Sequence, residues 1–468
     1  MKQFNISLIL LVALTWAGCK VSKNVPLPDA VPGAFRSAAP GDSASIGAIP
    51  LRTFITDPAL LQLIDTALIK NYDMQIALQN IDAAEVLFKQ ARQGYLPELK
   101  AHLTANNSRP SDNSLNGFTL NQFLGTSHIE DYSAGMTAVW EADIWGKIRS
   151  RKAAALAGFL QTTEARKALQ TQLVAQVAQG YYHLLMLDAQ LEIARRNLML
   201  NDSTLIIMKL QAASGQVTSL AVQQAEAQRL TASQLIPQLE EQATLQENAL
   251  NVLIGTMPQA INRKSRLQAL TIPQELHAGF PSTLLSRRPD IKSAELALNA
   301  ANAKVGEAQA SFYPSLVITA GGGINALKAS NWFNIPASLF GLVAGGITQP
   351  VFQRGQLKAN LELAKIEREK TVIAFRQSVL NAVGEVSDEL TKVEKLKAQY
   401  HAAAERTRVL ETASSNANLL FNRGMANYLE VITAQGNLLQ SELQLATIKT
   451  RQLNAVVELY RSLGGGWN

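Results

Sequence analysis

The sequence has few of the residues that build disulfide frameworks, metal sites and strongly charged surfaces. Its 468 residues include a single cysteine, Cys19. One cysteine excludes an intramolecular disulfide and every site built from several thiolates. The five histidines are scattered, with no pair three or four residues apart, which disfavours a histidine-based zinc site. Lys plus Arg total 43 against 37 for Asp plus Glu, without a long basic block, so nucleic acid is not an expected partner.

Long hydrophobic runs are also missing once the amino terminus is passed. No later stretch reaches the roughly 18 apolar residues of a membrane-spanning helix, so the sequence predicts none in the mature protein. Any crossing of a bilayer is therefore expected to be made by strands. At 47% hydrophobic residues the chain is not disordered, and its length allows two or three ordinary domains.

The amino terminus is typical of a secretory signal. A short apolar run over residues 6–14 is followed by Ala17-Gly18 and then Cys19. A cysteine in this place resembles the bacterial lipobox, in which the thiol is acylated, for example with palmitate, and becomes the first residue. Trp16 departs from the usual small aliphatic residue, and the alternative is a cysteine that merely ends the run.

These features predict the layout of the first 57 residues. We expect a signal peptide over 1–18 and a covalent lipid on Cys19, with no other cofactor. Two or more acyl chains give stable membrane anchoring. Residues 24–50 contain five prolines among Gly, Ser and Ala, so residues 19–57 are expected to be an extended tether.

An internal duplication organises the rest of the chain. Many residues recur 217 positions later, as Pro97 does at Pro314, and further on the spacing becomes 209, as between Gly146 and Gly355. The single change of eight residues falls between Pro97 and Gly146. The chain is therefore one unit used twice. The predicted domains are repeat 1 (58–255), a linker (256–280) and repeat 2 (281–468).

Each repeat is expected to begin with a helix and to continue with a β-hairpin. The helices are predicted over about 58–94 and 282–311, each closed by a proline. Alternating apolar and polar residues then predict hairpins over about 97–145 and 314–354, with polar or Gly/Asn-rich tips.

Long helices follow both hairpins. Prolines are absent and glycines are sparse over 147–213 and 356–422, which predicts two helices of roughly 100 Å. Gly215 and Gly424 mark the tips where the chain turns back into helices over 217–254 and 426–463. Leucine, valine and alanine stripes along them are typical of coiled-coil packing and imply no cofactor.

The number of strands decides the expected assembly. Two hairpins give four strands, too few to close a transmembrane barrel, and open edges are not tolerated in lipid. The chain must therefore oligomerise. Two copies give eight strands and a filled interior, whereas three give twelve strands and a lumen.

Several segments resemble one protein family. Trp140–Ser150 is similar to the strand-to-helix junction of TolC-type outer membrane efflux proteins, in the lipoprotein branch often called NodT. Further matches are Arg288-Pro289-Asp290-Ile291, Pro350-Val351-Phe352, Tyr428-Leu429-Glu430-Val431 and Leu459–Trp467. Together these segments cover the chain from about residue 55 to its end, in the expected order.

The resemblance implies a mainly α-helical fold with a β-barrel portion, internally duplicated. It implies a homotrimer with a twelve-stranded barrel in the outer membrane and a coiled-coil barrel in the periplasm. Such a channel exports drugs, detergents or ions received from a periplasmic adaptor and an inner-membrane pump of a resistance-nodulation-division tripartite system. Export of metal ions or proteins, as elsewhere in the family, stays open.

The resemblance also indicates a periplasmic gate. In the family the second tip narrows the channel, where a Leu followed four residues later by an Asp can form stacked rings. Leu429 matches the Leu, but Thr433 stands at the Asp position and removes that carboxylate ring. Glu430 is a nearby carboxylate, and Phe421 replaces a frequent Tyr. Plain coiled-coil packing is the alternative role of Leu429.

Other motif residues are expected to be structural. Asp143, beside Gly146, is predicted to cap the following helix, and Gly355 marks the matching junction of repeat 2. Trp140 and Trp145 suit either a membrane–water belt or ordinary packing.

Two functions other than a channel, namely an adaptor and an enzyme, are alternative interpretations of the sequence. A lipid-anchored periplasmic coiled-coil adaptor explains the helices and Cys19 but not the two alternating hairpins. A lipid-anchored enzyme is disfavoured because no nucleophile–base constellation or metal spacing is visible, so we expect no enzymatic activity.

Overall fold

The computed structural model describes residue 35 and residues 45–272 and 277–467. The expected signal peptide, Cys19 and most of the tether lie outside the described residues. The chain divides into two compact units. The first, here called the strand unit, contains 82–160 and 296–373, and the second, the helix unit, contains the described residues of 28–81, 161–295 and 374–468.

The part of the chain described over 45–255, which comprises the end of the expected tether and repeat 1, contains six α-helices and two strands. Its helices are α1 (Leu51–Phe54), α2 (Pro58–Lys70), α3 (Tyr72–Gln93), α4 (Leu115–Leu124), α5 (Lys147–Ala213) and α6 (Ser219–Leu253). Its strands are β1 (Glu98–Ser108) and β2 (Ile129–Ala142).

Repeat 2 shows the same order of elements, without a counterpart of α4. Its helices are α7 (Leu284–Arg287), α8 (Pro289–Ala310), α9 (Gln356–Asn422) and α10 (Tyr428–Ser462). Its strands are β3 (Ser315–Ala326) and β4 (Leu339–Thr348). The helices α5 and α9 each have 67 residues, and α6 and α10 each have 35.

The helical stretch that the sequence predicts over 58–94 is two helices, because Asn71 interrupts it. Asn71 has an extended backbone (ψ 130°). Its side chain accepts a hydrogen bond from the Met74 backbone N–H and donates one to the Leu253 carbonyl at 2.8 Å. The asparagine thus caps α3 and ties its start to the end of α6. The stretch predicted over 282–311 is likewise broken, into α7 and α8.

The four strands form one antiparallel sheet in the order β1-β2-β3-β4. The two predicted hairpins are therefore joined, because β2 also pairs with β3 along eleven residue pairs from Tyr132–Ala326 to Ala142–Leu316. Strands β1 and β4 are the two edges of this sheet.

The connections at one end of the sheet explain the change in repeat spacing. Residues 109–128 join β1 to β2, and residues 327–338 join β3 to β4, so the first connection is longer by eight residues. This difference equals the change of spacing from 217 to 209. The extra length accompanies α4, a helix that the sequence does not predict within this connection.

The core of the helix unit packs the end of the expected tether against both repeats, so residues 51–57 are folded and not extended. Phe54 stacks on Tyr460 with ring centroids 3.9 Å apart. The Tyr181 hydroxyl donates to the Asp57 carboxylate at 2.9 Å, while Asp57 also accepts from the backbone N–H of Ala59 at the start of α2. Burial is the main cause that raises the pKa of Tyr181, and the hydrogen bond to Asp57 adds to it.

Candidate functional site

The sheet of the strand unit has two chemically different faces. Alternate residues of a strand point to opposite sides, and paired residues share a side. One face carries rows such as Leu103–Ala134–Ile324–Leu339, and we call it the apolar face. The opposite face carries rows such as Lys100–Thr137–Gly321–Leu342, and we call it the polar face. Strand β4 adds Leu342 to the polar face, so the separation is cleanest in the other three strands.

Aromatic residues stand near both ends of the apolar face. Tyr132 and Trp140 are eight residues apart on β2, which corresponds to about 26 Å along the strand. The apolar band of outer-membrane strands is about 25 Å tall and is bounded by aromatic girdles. The Trp140 indole N–H donates to the Tyr95 carbonyl at 2.9 Å, and the Tyr132 ring lies 6.2 Å from that of Trp332. This spacing favours the belt interpretation of Trp140.

The strand-to-helix junction of repeat 1 is built around Asp143. Its two carboxylate oxygens accept hydrogen bonds from the backbone N–H groups of Ile148 and Arg149 at 2.8 and 2.9 Å, at the start of α5. Gly146 has φ 76°, which only glycine adopts easily. The Trp145 indole N–H donates to the Pro314 carbonyl at 2.8 Å, so Trp145 connects the two repeats within the strand unit.

The junction of repeat 2 turns without a carboxylate cap. Gly355 has φ 79° and the preceding Arg354 has φ 52°. The position that corresponds to Asp143 is Phe352, whose side chain is exposed. The two junctions therefore share the glycine turn but not the capping chemistry.

The two tips of the helix unit have the same backbone geometry. Gly215 and Gly424 have φ values of 74° and 71°. The residue after each glycine donates its N–H to a carbonyl five residues earlier, Gln216 to Gln211 and Met425 to Leu420, both at 2.9 Å. This is the Schellman arrangement, in which a glycine in the left-handed region ends a helix.

The three gate candidates near the second tip have different surroundings. Leu429 is 58% exposed, and Thr433, one turn further along α10, is also exposed. Glu430 takes part in a capping box, because its carboxylate accepts from the Asn427 N–H while Asn427 Oδ1 accepts from the Glu430 N–H, both at 3.0 Å. The carboxylate of Glu430 is thus engaged at the start of α10.

A small apolar cluster packs the two tips together. It consists of Leu205, Met208, Ala225, Phe421 and Val431, which come from both repeats. Met208 and Val431 are fully buried. Sequence reasoning singled out Phe421 only for its missing hydroxyl, and the structure gives it an apolar packing role instead.

The Arg-Pro-Asp motif forms an ionic cluster around one buried arginine in the helix unit. Arg288 donates to both oxygens of Asp290 at 3.0 and 2.6 Å and to the Glu385 carboxylate at 2.9 Å. It also donates to the Ser462 carbonyl at 3.2 Å. Pro289 begins α8, as expected for a helix entry. The motif therefore also holds α8, α9 and the end of α10 together.

Two kinds of feature are absent from the described part of the chain. There, no three His, Cys, Asp or Glu side chains are arranged to hold a metal ion. None of the described helices is both long and apolar enough to span a membrane.

Comparison with known proteins decides the family. The sequence model of the outer membrane efflux protein family matches residues 63–256 and 280–465. The chain belongs to this family. The two matched stretches correspond to the two repeats.

Relatives with assigned activities cover nearly the whole chain. The solvent efflux pump outer membrane protein SrpC of Pseudomonas putida is 32% identical over 440 residues, which are 92% of this chain and 90% of the relative. The cation efflux system protein CusC of Escherichia coli O6:H1 is 31% identical over 422 residues, covering 89% of this chain and 88% of the relative. The open state of the Neisseria gonorrhoeae MtrE outer membrane channel matches with a TM-score of 0.85 and 26% identity, over 96% of this chain and 98% of that chain.

Family membership and fold together settle the class of the protein. It is an outer membrane efflux channel with a TolC-like fold, and the family is one of channels, not of enzymes. The function and outer-membrane location expected from the sequence are confirmed, and the pore-free adaptor alternative is not supported. In such a channel the apolar face of the sheet meets lipid and the polar face meets the lumen.

Proposed function

We propose that the chain works as a homotrimer anchored by a lipid on Cys19. Three copies of the four-stranded sheet form a twelve-stranded barrel in the outer membrane, and the long helices form the periplasmic part of the conduit. A periplasmic adaptor and an inner-membrane pump deliver small-molecule cargo to it. The observation that carries this proposal is a sheet with one apolar face and two unpaired edges.

The sheet alone is unsuited to lipid. Backbone N–H and C=O groups along the outer sides of β1 and β4 have no strand partner within the described chain. In hydrocarbon each unsatisfied group costs several kcal/mol, so lipid-exposed edges do not occur. Because all neighbouring strands are antiparallel, β1 and β4 run in opposite directions, and β4 of one copy can pair antiparallel with β1 of the next. Repeating this head-to-tail contact closes a ring.

The size of the ring follows from the function. Two copies give an eight-stranded barrel, and side chains fill the interior of such a barrel. Three copies give twelve strands, which leave room for an aqueous lumen. A channel needs the lumen, which supports the trimer. The mass of the detergent-solubilised protein tests this, with three mature chains expected, each lighter than the 50.7 kDa of the full sequence by the signal peptide. A folded monomer or dimer in mild detergent would contradict the proposal.

The lipid anchor is tested separately. The mature protein is expected to begin at Cys19 and to be heavier than its polypeptide by two or three acyl chains in intact-mass measurement. A Cys19→Ser variant is expected to lack this extra mass. An unmodified Cys19 in protein purified from membranes would remove the anchor while leaving the trimer proposal intact.

The proposed cargo is small amphiphilic or apolar compounds such as solvents and drugs. The named activities of relatives include both solvent and cation efflux. At the second tip, Thr433 supplies a neutral hydroxyl where the family pattern has a carboxylate, and Glu430 is bonded within its own capping box. This chemistry supports a gate without a strong preference for cations. The gate role of Leu429 belongs to the same proposal.

A further inference from the structure

A polar layer of two buried side chains and one half-buried side chain lies beside the apolar cluster of the tips. It consists of Thr204 on α5, Asn418 on α9 and Gln435 on α10, and we call it the tip polar layer. The Gln435 side-chain nitrogen donates to Asn418 Oδ1 at 3.2 Å and, weakly, to Thr204 Oγ1 at 3.5 Å. One carboxamide thus connects α10 both to its own repeat and to the first repeat.

The hydrogen bonds of this layer are incomplete. Gln435 is only 3% exposed, and its side-chain oxygen has no hydrogen-bond partner among the described residues. The two side chains that Gln435 contacts direct hydrogen bonds to their own helices, since the Thr204 hydroxyl donates to the Leu200 carbonyl and the Asn418 amide donates to the Ser414 carbonyl, both at 2.9 Å. A buried carbonyl without a donor destabilises the packing around it.

The apolar cluster and the tip polar layer therefore have opposite effects on the packing of α10 against the helices around it. The apolar cluster around Val431 and Phe421 favours contact between the tips of the two repeats. The tip polar layer, four residues further along α10, opposes it. If α10 moves away from α5, the Gln435 oxygen gains access to water and its deficit disappears.

We propose that Gln435 is a positioning residue of the gate, which keeps the closed packing of the tips weak enough for the channel to open. This inference rests on the proposed function, in which the tip that carries Leu429 is the gate, and it takes the packing described above as the closed form of that gate. Gln435 does not line the passage in this scheme. It acts through the position of α10, on which Leu429 lies six residues earlier.

The first experiment replaces the amide by an apolar side chain of similar length. Gln435→Met in the full-length trimer removes one unpaired oxygen from each chain. It is expected to lower the open probability in planar bilayers at least about tenfold, the effect of one such group, and further if the three chains open together. Gln435→Glu introduces a buried charge and is expected to raise the open probability. A side chain that merely fills space would not move the gate in opposite directions with these two variants.

Gln452 provides the matched control. It is also a buried glutamine of α10, but its amide donates at 3.1 Å to the Leu396 carbonyl of α9, within the same repeat. Gln452→Met is expected to leave the open probability unchanged. Equal decreases in opening for Gln435→Met and Gln452→Met would overturn the inference, as would increased opening in Gln435→Met with a normal trimer mass.

A second measurement separates this inference from the gate proposal. Amide hydrogen exchange over residues 428–440 reads the closed packing without any current, and Gln435→Met is expected to slow exchange there about tenfold. Unchanged exchange would refute the role of Gln435 whatever the conductance shows. Slower exchange with unaltered conductance would show that Gln435 weakens the packing of the tips, and it would refute the proposal that this tip is the gate. Gln435→Leu repeats both readings if the Met variant does not fold.

Discussion

At the scale of single residues, Arg288 is a guanidinium held almost out of contact with water. It is 4% exposed and has two carboxylate partners, Asp290 and Glu385, and one carbonyl partner. A buried charge of this kind is tolerated only while its partners are present. The cluster joins elements that are distant in sequence, which a helix-entry motif alone does not do.

The first prediction is that Arg288→Ala strongly destabilises the protein. Removing the cation leaves Asp290 without its arginine and Glu385 with only Arg461, at 3.6 Å. Because both carboxylates are partly exposed to water, the expected loss is about 2–3 kcal/mol of unfolding free energy. Chemical denaturation of the solubilised protein measures the loss. Arg287→Ala, at the neighbouring half-buried arginine, is the control and is expected to cost much less. Equal losses for the two variants would contradict the assigned role.

The second prediction concerns pH. Burial raises the pKa of Asp290, but the hydrogen bond and charge of Arg288 outweigh burial and lower it below its usual value. A carboxyl whose folded pKa is depressed contributes stability above its unfolded pKa of about 3.9, and this stability is lost as pH falls through the folded pKa. The unfolding midpoint of Asp290→Asn is therefore expected to vary less between about pH 2 and 4 than that of the natural protein. If the unfolding midpoints of Asp290→Asn and of the natural protein vary with pH in parallel, the prediction is wrong.

Some residue roles are legible in the sequence and others are not. Asp143 stands beside a glycine at the start of a long periodic segment, so its capping bonds to Ile148 and Arg149 are predictable. The burial of Gln435 is not, because its neighbours come from helices more than 200 residues apart. Local spacing carries no information about such a contact.

At the scale of elements, the turns at the two tips depend on glycine. A Cβ atom added at Gly424 would have no neighbouring atom within 4 Å, so only the positive φ of this residue disfavours a side chain there. The third prediction is that Gly424→Ala costs about 1 kcal/mol of unfolding free energy, because alanine is strained at positive φ. Gly436, also in open space but inside α10, is the control. Gly436→Ala is expected to stabilise by about 0.5–1 kcal/mol, so effects of the same sign would refute the explanation.

The fourth prediction tests the gate. Leu429→Ser replaces an exposed apolar side chain at the second tip and is expected to increase single-channel conductance through the purified trimer. Leu220 is its counterpart in repeat 1 and is 60% exposed, so Leu220→Ser is the matched control and is expected to change conductance less. Identical conductance in Leu429→Ser and the natural channel, at normal trimer yield, would mean that Leu429 only packs.

The long elements could be predicted from the sequence to within a few residues. The bounds of α5 and α9 coincide with the stretches in which proline is absent and the period is helical. The ten-residue α4 could not be predicted, because it is short, is rich in asparagine and aromatic residues, and has no counterpart in repeat 2. The sequence also does not indicate the break at Asn71, because the Asn71 side chain bonds to Leu253, 182 residues away.

At the scale of the whole molecule, the strands illustrate a limit of sequence reasoning. Alternation identifies four strands, but it cannot show that β2 and β3, which lie in different repeats, pair along their length. That pairing makes a single sheet with two edges. The number of copies that complete it follows only from the need for a lumen.

The fifth prediction concerns ion preference in the assembled channel. Thr433→Asp would place one carboxylate per chain at the exposed position one turn beyond Leu429. Three such carboxylates in a trimer are expected to shift the reversal potential toward cation selectivity in a salt gradient. Thr433→Asn, a neutral polar replacement, is the control and is expected to leave the reversal potential unchanged. No difference between the two variants would place residue 433 away from the passage.

The equal lengths of the paired helices restrict how the protein can evolve. The helices α5 and α9 have 67 residues each, and the returning helices α6 and α10 have 35 each. We call these four helices the arms. The two tips that join the arms, here also called the bends, share one apolar cluster. Losing a turn from a single arm would set the bends at different heights and pull Met208 away from Val431. A lineage that shortens or extends the conduit must therefore change all four arms in step, so insertions and deletions here should be found in matched sets.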